Sequence, residues 1–313
     1  MCSNGITMQR YTIRQFNEQF PDDDTCLDYV AAMVYPTFPE MHCRTCGEVL
    51  RHHRLSGRKA YSCQRCGTHV YPLAGTIFEK SRTPLKSWFY AMYLVASTRS
   101  GISAKQLERE LGVTYKTAWR MFKQIRVLLA EDGGPLKGIV EVDETFVGGR
   151  PRYRQPRKGP RPVDDPTAKK PVVGMVERDG NVKAWVTDNV QSRTIRPLML
   201  AHVMPDTTVF TDEARQYGLV RGAGYQHRRV NHSALVYVDG DVHTNTIEGF
   251  WSLLKNGIRG VYHSVGKDYL QTYVDEYTFR YNHRRDDAPM FQTIAARVRA
   301  VRSGQHGEYA PLH

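Results

Sequence analysis

No apolar run in the 313-residue chain approaches the roughly 20 residues that a bilayer-crossing helix needs. A secretory plan is missing too. The first 30 residues lack a basic-then-apolar order, and "PDDDT" at 21–25 is acidic. A cytoplasmic location and no membrane partner are therefore expected. Cysteine is sparse, with six residues, too few for a disulfide scaffold of this length. Four of the six are clustered, which in a reducing compartment argues for metal, and Cys2 and Cys26 stand apart as free thiols. Internal repeats are also absent. Acid is the minority charge: 32 Asp and Glu stand against 44 Lys and Arg, a net charge of +12. That surplus favours a polyanionic partner, most often nucleic acid, because neutralising phosphates releases counterions. Hydrophobic content of 41% and charged content of 24% are ordinary for a soluble globular protein, and the length suffices for two or three domains.

Residues 1–40 read as a helical preface, in which "TCLDYVAAMVY" (25–35) carries an apolar stripe that Pro36 and Pro39 break. A glycine-rich, basic segment follows over 41–82. The stretch 83–131 is helical in pattern, and "EDGGP" (131–135) reads as a linker. Beyond it the pattern changes. "GIVEVDETFVG" (138–148), "PVVGMVERDG" (171–180) and "NVKAWVTDN" (181–189) read as strands, with Asp179-Gly180 as a hairpin turn. A helix at 192–203, a strand in "TTVFTDEARQY" (207–217) and further helix to about 300 complete it. This order predicts an α/β domain around a mixed sheet flanked by helices over 136–300, followed by a tail at 301–313. The segment 150–170 interrupts the domain with eight Lys or Arg and five Pro, so it reads as a mobile basic insertion.

The strongest local motif is Cys43-x2-Cys46, then 16 residues, then Cys63-x2-Cys66. Gly47 and Gly67 follow the second cysteine of each pair, so two tight knuckles can close four thiolates around structural Zn²⁺. The gap between them fits a β-hairpin, which predicts a zinc ribbon. Four cysteines leave no open position for catalytic water. His42, His52, His53 and His69 lie nearby but are not required as ligands. Arg44, Arg51, Arg54, Arg58, Lys59 and Arg65 suit the ribbon to phosphate.

"SAKQLERELGVTYKTAWRMFKQIR" (103–126) reads as helix, turn, helix. Leu107 and Leu111 face inward, Gly112 turns the chain and Thr114 caps the second helix. Tyr115, Lys116, Arg120 and Lys123 form a surface suited to a DNA major groove; a plain helical hairpin is the alternative.

In "HTNTIEGFWSLLKNGIRG" (243–260), Ile247, Phe250, Trp251, Leu254 and Ile258 recur at helical spacing. At 100° per residue they fall between about 140° and 240° from Asn245. Asn245, Glu248, Ser252, Lys255 and Arg259 fall between about 280° and 0°, a polar stripe beside the apolar face. Glu248 joins two other carboxylates of interest. Asp143 sits inside an otherwise apolar strand, where an acid needs a reason, and Asp212 ends the strand "TTVF". Two strand aspartates and a helical glutamate can converge on two Mg²⁺ (or Mn²⁺) ions, hard cations that oxygen ligands suit. Lys255 then lies where it can hold a DNA phosphate. Glu144 points to the face opposite Asp143. Asp241 and His243 read as caps of the helix or as lining the entrance, Phe250 and Trp251 as core rather than base-stacking residues, and His232 has no visible role. A solvated carboxylate is the plain alternative for each acid taken singly.

With these residues in hand, the chain resembles the bacterial insertion-sequence transposases of the ISXO-like family. The resemblance runs through the preface, both CxxC pairs, "VDETFVGG" (142–149), "PVVGMVERDG" and "TDEARQY" (211–217). It continues through "VNHSALVYV" (230–238), "HTNTIEGFWSLLKNGIRGVYH" (243–263) and "YTFRYNHR" (277–284), and so covers nearly all of the chain. It implies an RNase H-like catalytic domain, preceded by the zinc ribbon and helix-turn-helix, that cuts and joins double-stranded DNA with Mg²⁺. Asp143 and Asp212 match the family's two aspartates. The family's third residue is described as Asn followed by Lys. Here Asn245 and Glu248 both stand on one helix face, with Lys255 beyond. Glu248 is favoured as the stronger metal ligand, with Asn245 as neighbour or substitute. Arg150, Arg152 and Arg154 in the insertion become DNA contacts. The partners implied are the element ends and the target DNA. Pairing two ends implies a homodimer or higher assembly at the bacterial nucleoid. A DNA-binding regulator descended from a transposase and a structure-selective nuclease on the same fold are the rivals.

Overall fold

The computed structural model describes residues 11–131, 133–148, 169–211, 224–229 and 244–298. The chain forms two compact units. One joins Met1–Leu129 with Arg285–His313; the other is Ala130–Arg284.

In the first unit, α1 (Ile13–Gln19) begins at a capping box between Thr12 and Gln15, and α2 (Asp23–Val34) begins at Asp22, whose side chain accepts from the Thr25 N–H. A four-stranded antiparallel sheet follows in chain order: β1 (Glu40–His42), β2 (Val49–Arg54), β3 (Tyr61–Cys63) and β4 (His69–Val70). Next come α3 (Leu85–Ser97), α4 (Ala104–Leu111) and α5 (Tyr115–Val127). Ser103 and Thr114 cap α4 and α5, each accepting from a backbone N–H three residues on. Gly112, in the left-handed region at φ +63°, turns the chain between them. Leu107 is fully buried, whereas Leu111 is only half-buried.

The sheet of the second unit has the order β7-β6-β5-β8-β9. Here β5 is Ile139–Val147, β6 Lys170–Glu177 and β7 Val182–Val186, joined as an antiparallel meander. The turn between β6 and β7 contains Asp179, at φ +59°, followed by Gly180, as the sequence predicts. Strands β8 (Thr208–Thr211) and β9 (Gln226–Arg229) run parallel to β5. Helix α6 (Ser192–His202) covers one face: Ile195 and Met199 pack with Val140, Val142, Val173, Met175 and Val209. Helices α7 (Asn245–Gly257) and α8 (Leu270–Asn282) cover the other. There Ile247, Phe250, Trp251, Leu254, Val274 and Tyr277 meet Val147, Val172, Val176, Val182 and Ala184. Both faces are thus buried, which is why β6 reads as an apolar run and not as an alternation. The unit is an α/β domain with a mixed sheet flanked by helices.

One boundary differs from the sequence expectation, which carries the α/β domain to residue 300. The second unit ends at Arg284, and α9 (Met290–Ala296) belongs to the first. Phe291 is the reason. Its buried ring lies 5.0–6.5 Å from the rings of Tyr11, Phe16, Phe20, Phe89 and Tyr93. Truncating a buried ring of this kind typically removes about 3–5 kcal/mol. Phe291→Ala is expected to lower stability by that order in denaturant unfolding, although the residue lies over 150 positions from the helices it touches.

Candidate active site and cysteine cluster

Strand β5 turns Glu141, Asp143, Thr145 and Val147 towards α7, and Val140, Val142 and Glu144 away from it. Asp143 is half-buried. The Trp251 indole Nε1 donates to its Oδ2 at 2.9 Å. Trp251 can reach because Asp143 pairs across the sheet with Gly174 of β6. A Cβ at Gly174 would stand 2.5 and 2.6 Å from two Trp251 ring atoms and 3.1 Å from Ile247, so the indole occupies the space a side chain would fill.

On α7 the two faces fall as the helical spacing predicts. Ile247, Phe250, Trp251 and Leu254 are buried, while Asn245, Glu248 and Ser252 are exposed and Lys255 is half-buried. Trp251 lies at the border of the two faces. Glu248 precedes it by three residues and Lys255 follows it by four, so both neighbour it on the helix surface. The residue bonded to Asp143 therefore sits between the acid and the lysine of the polar stripe. Asp212 lies outside the described residues, as do Arg150, Arg152, Arg154, His232, Asp241 and His243. The strand before Asp212 is described: β8 pairs with β5 as Ile139↔Thr208 and Glu141↔Phe210, and the buried Thr211 Oγ1 lies 2.8 Å from His227 Nε2 on β9.

Sequence reasoning missed Glu141. It is wholly buried, and the first turn of α7 closes on it. Its Oε2 accepts from the N–H groups of Thr246 and Ile247 at 2.9 and 3.0 Å. Its Oε1 accepts from Thr246 Oγ1 at 3.0 Å and from Arg178 Nε at 2.9 Å. Arg178 also lies over the Phe210 ring at 4.7 Å. Removing one partner of such a buried pair typically costs about 3–5 kcal/mol, because the other charge is left uncompensated. One signal was in the sequence: an acid two positions from Asp143 on a strand shares its face. Helical spacing puts Trp251 in the core, where it is buried; its N–H on Asp143 is a tertiary contact that spacing does not show.

In the first unit the Sγ atoms of Cys43, Cys46, Cys63 and Cys66 all lie within 4.8 Å of one another. The two knuckles match. Gly47 N donates to Cys43 O at 2.9 Å and Gly67 N to Cys63 O at 3.0 Å, with both glycines at φ +73°. Thiols this close resist ionising together without a cation. Hydrogen bonding with Thr68 lowers the pKa of Cys66 to about 6, whereas hydrogen bonding with Cys66 pushes that of Cys46 up to about 12. The nearby histidines do not join this group; His52 is buried, with Nδ1 2.8 Å from Leu50 O. Of the ribbon's basic residues, Arg54 is paired with Asp24 and Asp28, and Arg65 with Glu48, while Arg44, Arg51 and Arg58 are exposed. On α5, Tyr115, Lys116 and Arg120 are exposed, and Lys123 lies over the Trp119 ring at 5.6 Å.

Two family models match the chain: an ISXO2-like transposase domain over residues 135–282 and a transposase zinc-ribbon domain over 21–69. A protein of Halobacterium salinarum, described as an uncharacterized protein in transposable element ISH50, is 29% identical over 77% of this chain and 85% of its own length. An uncharacterized transposase-like protein of Haemophilus influenzae is 31% identical over 31% of this chain and 78% of its own length. The solved Mos1 strand transfer complex matches at 11% identity over 71% of this chain and 78% of that one, with a TM-score of 0.28, too slight a likeness to bear on the fold. The chain belongs to the ISXO-like transposase family and carries that family's zinc-ribbon and DDE-type domains. Among the described residues, no helix is long and apolar enough to cross a membrane.

The packing of Trp251 on Gly174 gives a direct test. Gly174→Ala forces the indole off Asp143, and overpacking of this kind typically costs about 1–3 kcal/mol. A lowered unfolding midpoint with a changed Trp251 emission is expected. An unchanged melt would mean that the indole does not fill this space.

Proposed function

We propose that the protein is the transposase of an insertion sequence, which binds the element's terminal inverted repeats and cleaves and joins DNA strands at a site built on Asp143. The observation that carries this reading is the tie between Asp143 and Trp251. It holds a half-buried carboxylate against the one helix whose neighbouring stripe offers Asn245, Glu248 and Lys255. The catalytic domain is RNase H-like, and the mixed β7-β6-β5-β8-β9 order supports that assignment.

Asp143, Asp212 and Glu248 would hold two Mg²⁺ ions, with Asn245 beside them. Their donors are oxygens only, which fits a hard cation, and the Trp251 N–H occupies Oδ2 of Asp143 without neutralising its charge. When bound, Mg²⁺ activates water or a 3′-hydroxyl and stabilises the leaving oxygen of the phosphodiester. The chain's own part is placement. Asp143 stands fixed by its indole partner, Glu248 and Asn245 approach from the first turn of α7, and Lys255 holds a strand phosphate two turns on. Hydrolysis and strand joining are both in-line displacements at phosphorus, so one site serves both and no covalent protein–DNA intermediate is required. Two element ends must meet, so the working form is at least a dimer.

The cysteine cluster fits structural Zn²⁺. Four sulfurs at the usual Zn–S distance of about 2.3 Å stand about 3.8 Å apart, within the spread that the four Sγ atoms already have. The α4–α5 pair then serves as a helix-turn-helix. Tyr115, Lys116, Arg120 and Lys123 contact the element end, and Arg150, Arg152 and Arg154 add phosphate contacts.

The test is a strand-transfer assay with duplexes carrying the element ends and Mg²⁺. Joined product is expected. Cleavage alone would indicate a nuclease, and binding alone a regulator. Asp143→Asn and Asp212→Asn should each lower cleavage more than about 100-fold, beyond what loss of an outer-shell contact does. Glu248→Gln should be more damaging than Asn245→Ala; the reverse order would make the amide the third ligand.

A further inference from the structure

We propose that Glu141 is a positioning residue of this site, which sets where the first turn of α7 stands relative to Asp143; the proposal rests on the cleavage reading above. Three observations carry it. First, the N-cap residue of α7, Thr244, makes no side-chain capping hydrogen bond to the helix. The unpaired N–H groups of its first turn are met instead by a carboxylate from β5, 105 residues away in sequence. The negative charge also faces the positive end of the helix dipole.

Second, Glu141 is unsuited to hold a metal itself. Both of its oxygens are engaged by donors, its side chain is fully buried, and Arg178 already balances its charge. A fourth acid on the same face of β5 as Asp143 is therefore not a fourth ligand.

Third, the two ties between β5 and α7 are matched in pitch. Glu141 and Asp143 are two strand residues apart, about 6.6 Å along β5. Their partners, Ile247 and Trp251, are four helical residues apart, about 6 Å along α7. Strand and helix thus advance together, and the pair of contacts fixes α7 both along and about its axis. Asn245 and Glu248 ride on that fixed turn. Without Glu141, the apolar face and the Trp251 contact would still hold the helix, but its first turn could swing or fray.

The experiment compares the full-length protein with Glu141→Gln, which keeps shape and removes charge. In metal-free protein, amide exchange at Thr246 and Ile247 should quicken about tenfold or more, while β6 amides keep their protection. With a duplex carrying the element end, the Mg²⁺ concentration giving half-maximal cleavage should rise about 10-fold or more, the range for loss of a supporting shell contact, while affinity for that duplex stays within about twofold. A merely structural lesion lowers the active fraction without moving the Mg²⁺ midpoint. Unchanged exchange at the two amides together with an unchanged midpoint overturns the proposal. If Glu141→Gln does not fold, Thr246→Val, which removes only the hydroxyl donor, should shift both readouts the same way by a smaller factor, and no shift again overturns it. Asp143→Asn measured alongside separates the two levels. If that variant cleaves as the unaltered protein does, the site reading falls and the proposal with it. If Asp143→Asn is dead and Glu141→Gln is normal, only the proposal falls.

Discussion

The second unit depends on how one helix is held to one strand. Apolar packing brings α7 onto the sheet, but such packing is non-directional and tolerates sliding. Two polar contacts remove that freedom: the Glu141 carboxylate on the first turn, and the Trp251 indole N–H on Asp143. Each demands something of its neighbours. The buried carboxylate needs Arg178, which in turn lies over Phe210 of β8. The indole needs a glycine opposite Asp143. Further along, Gly257 lets Tyr277 approach, since a Cβ there would sit 1.6 Å from the Tyr277 hydroxyl. Residues on β5, β6, β8 and α8 are thereby all constrained by the placement of α7.

This arrangement explains how the polar stripe of α7 can be exposed and yet serve as the site proposed above. Glu248 and Asn245 are exposed, so long side chains there would ordinarily be free to roam. Their backbone, however, belongs to a turn clamped from below by a buried ion pair. Rigidity comes from the buried side of the helix and accessibility from the other. The proposed strand cleavage needs both, because reacting groups must reach phosphorus with little reorganisation.

The sequence made local features legible. The alternation and apolar runs placed β5, β6 and β7, the Asp179-Gly180 turn lies where expected, and Gly112 and Thr114 turn the chain and cap α5 as expected. The paired CxxC spacing anticipated four sulfurs within 4.8 Å. Both the α7 wheel and the placement of Asp143 on the strand face opposite Glu144 agree with the structure. The features that stayed hidden are tertiary. Glu141 looked like one more polar residue of a strand because its donors lie over a hundred positions away, and nothing local distinguishes a buried cap from a solvated acid. Trp251 fits the apolar period, and periodicity carries no sign of where its indole N–H goes. Arg54 and Arg65 read as free cations for the same reason: charge counts do not see the carboxylates that Asp24, Asp28 and Glu48 bring to them.

The return of α9 to the first unit carries the same lesson further. A helix of seven residues has too little surface to fold alone, so Phe291 must be buried somewhere, and the aromatic cluster around Phe16, Phe20 and Phe89 accepts it. The α/β unit is consequently an insertion between two parts of the first, and the chain crosses between them twice. Within the α/β unit those crossings are tied together. Glu131, just inside the entry, accepts from Asn282 Nδ2 at 2.7 Å and lies 2.7 Å from His283 Nε2, just before the exit. The "EDGGP" stretch, a plain linker by composition, is therefore anchored at its first residue, and Lys183 Nζ donates to Gly133 O further on.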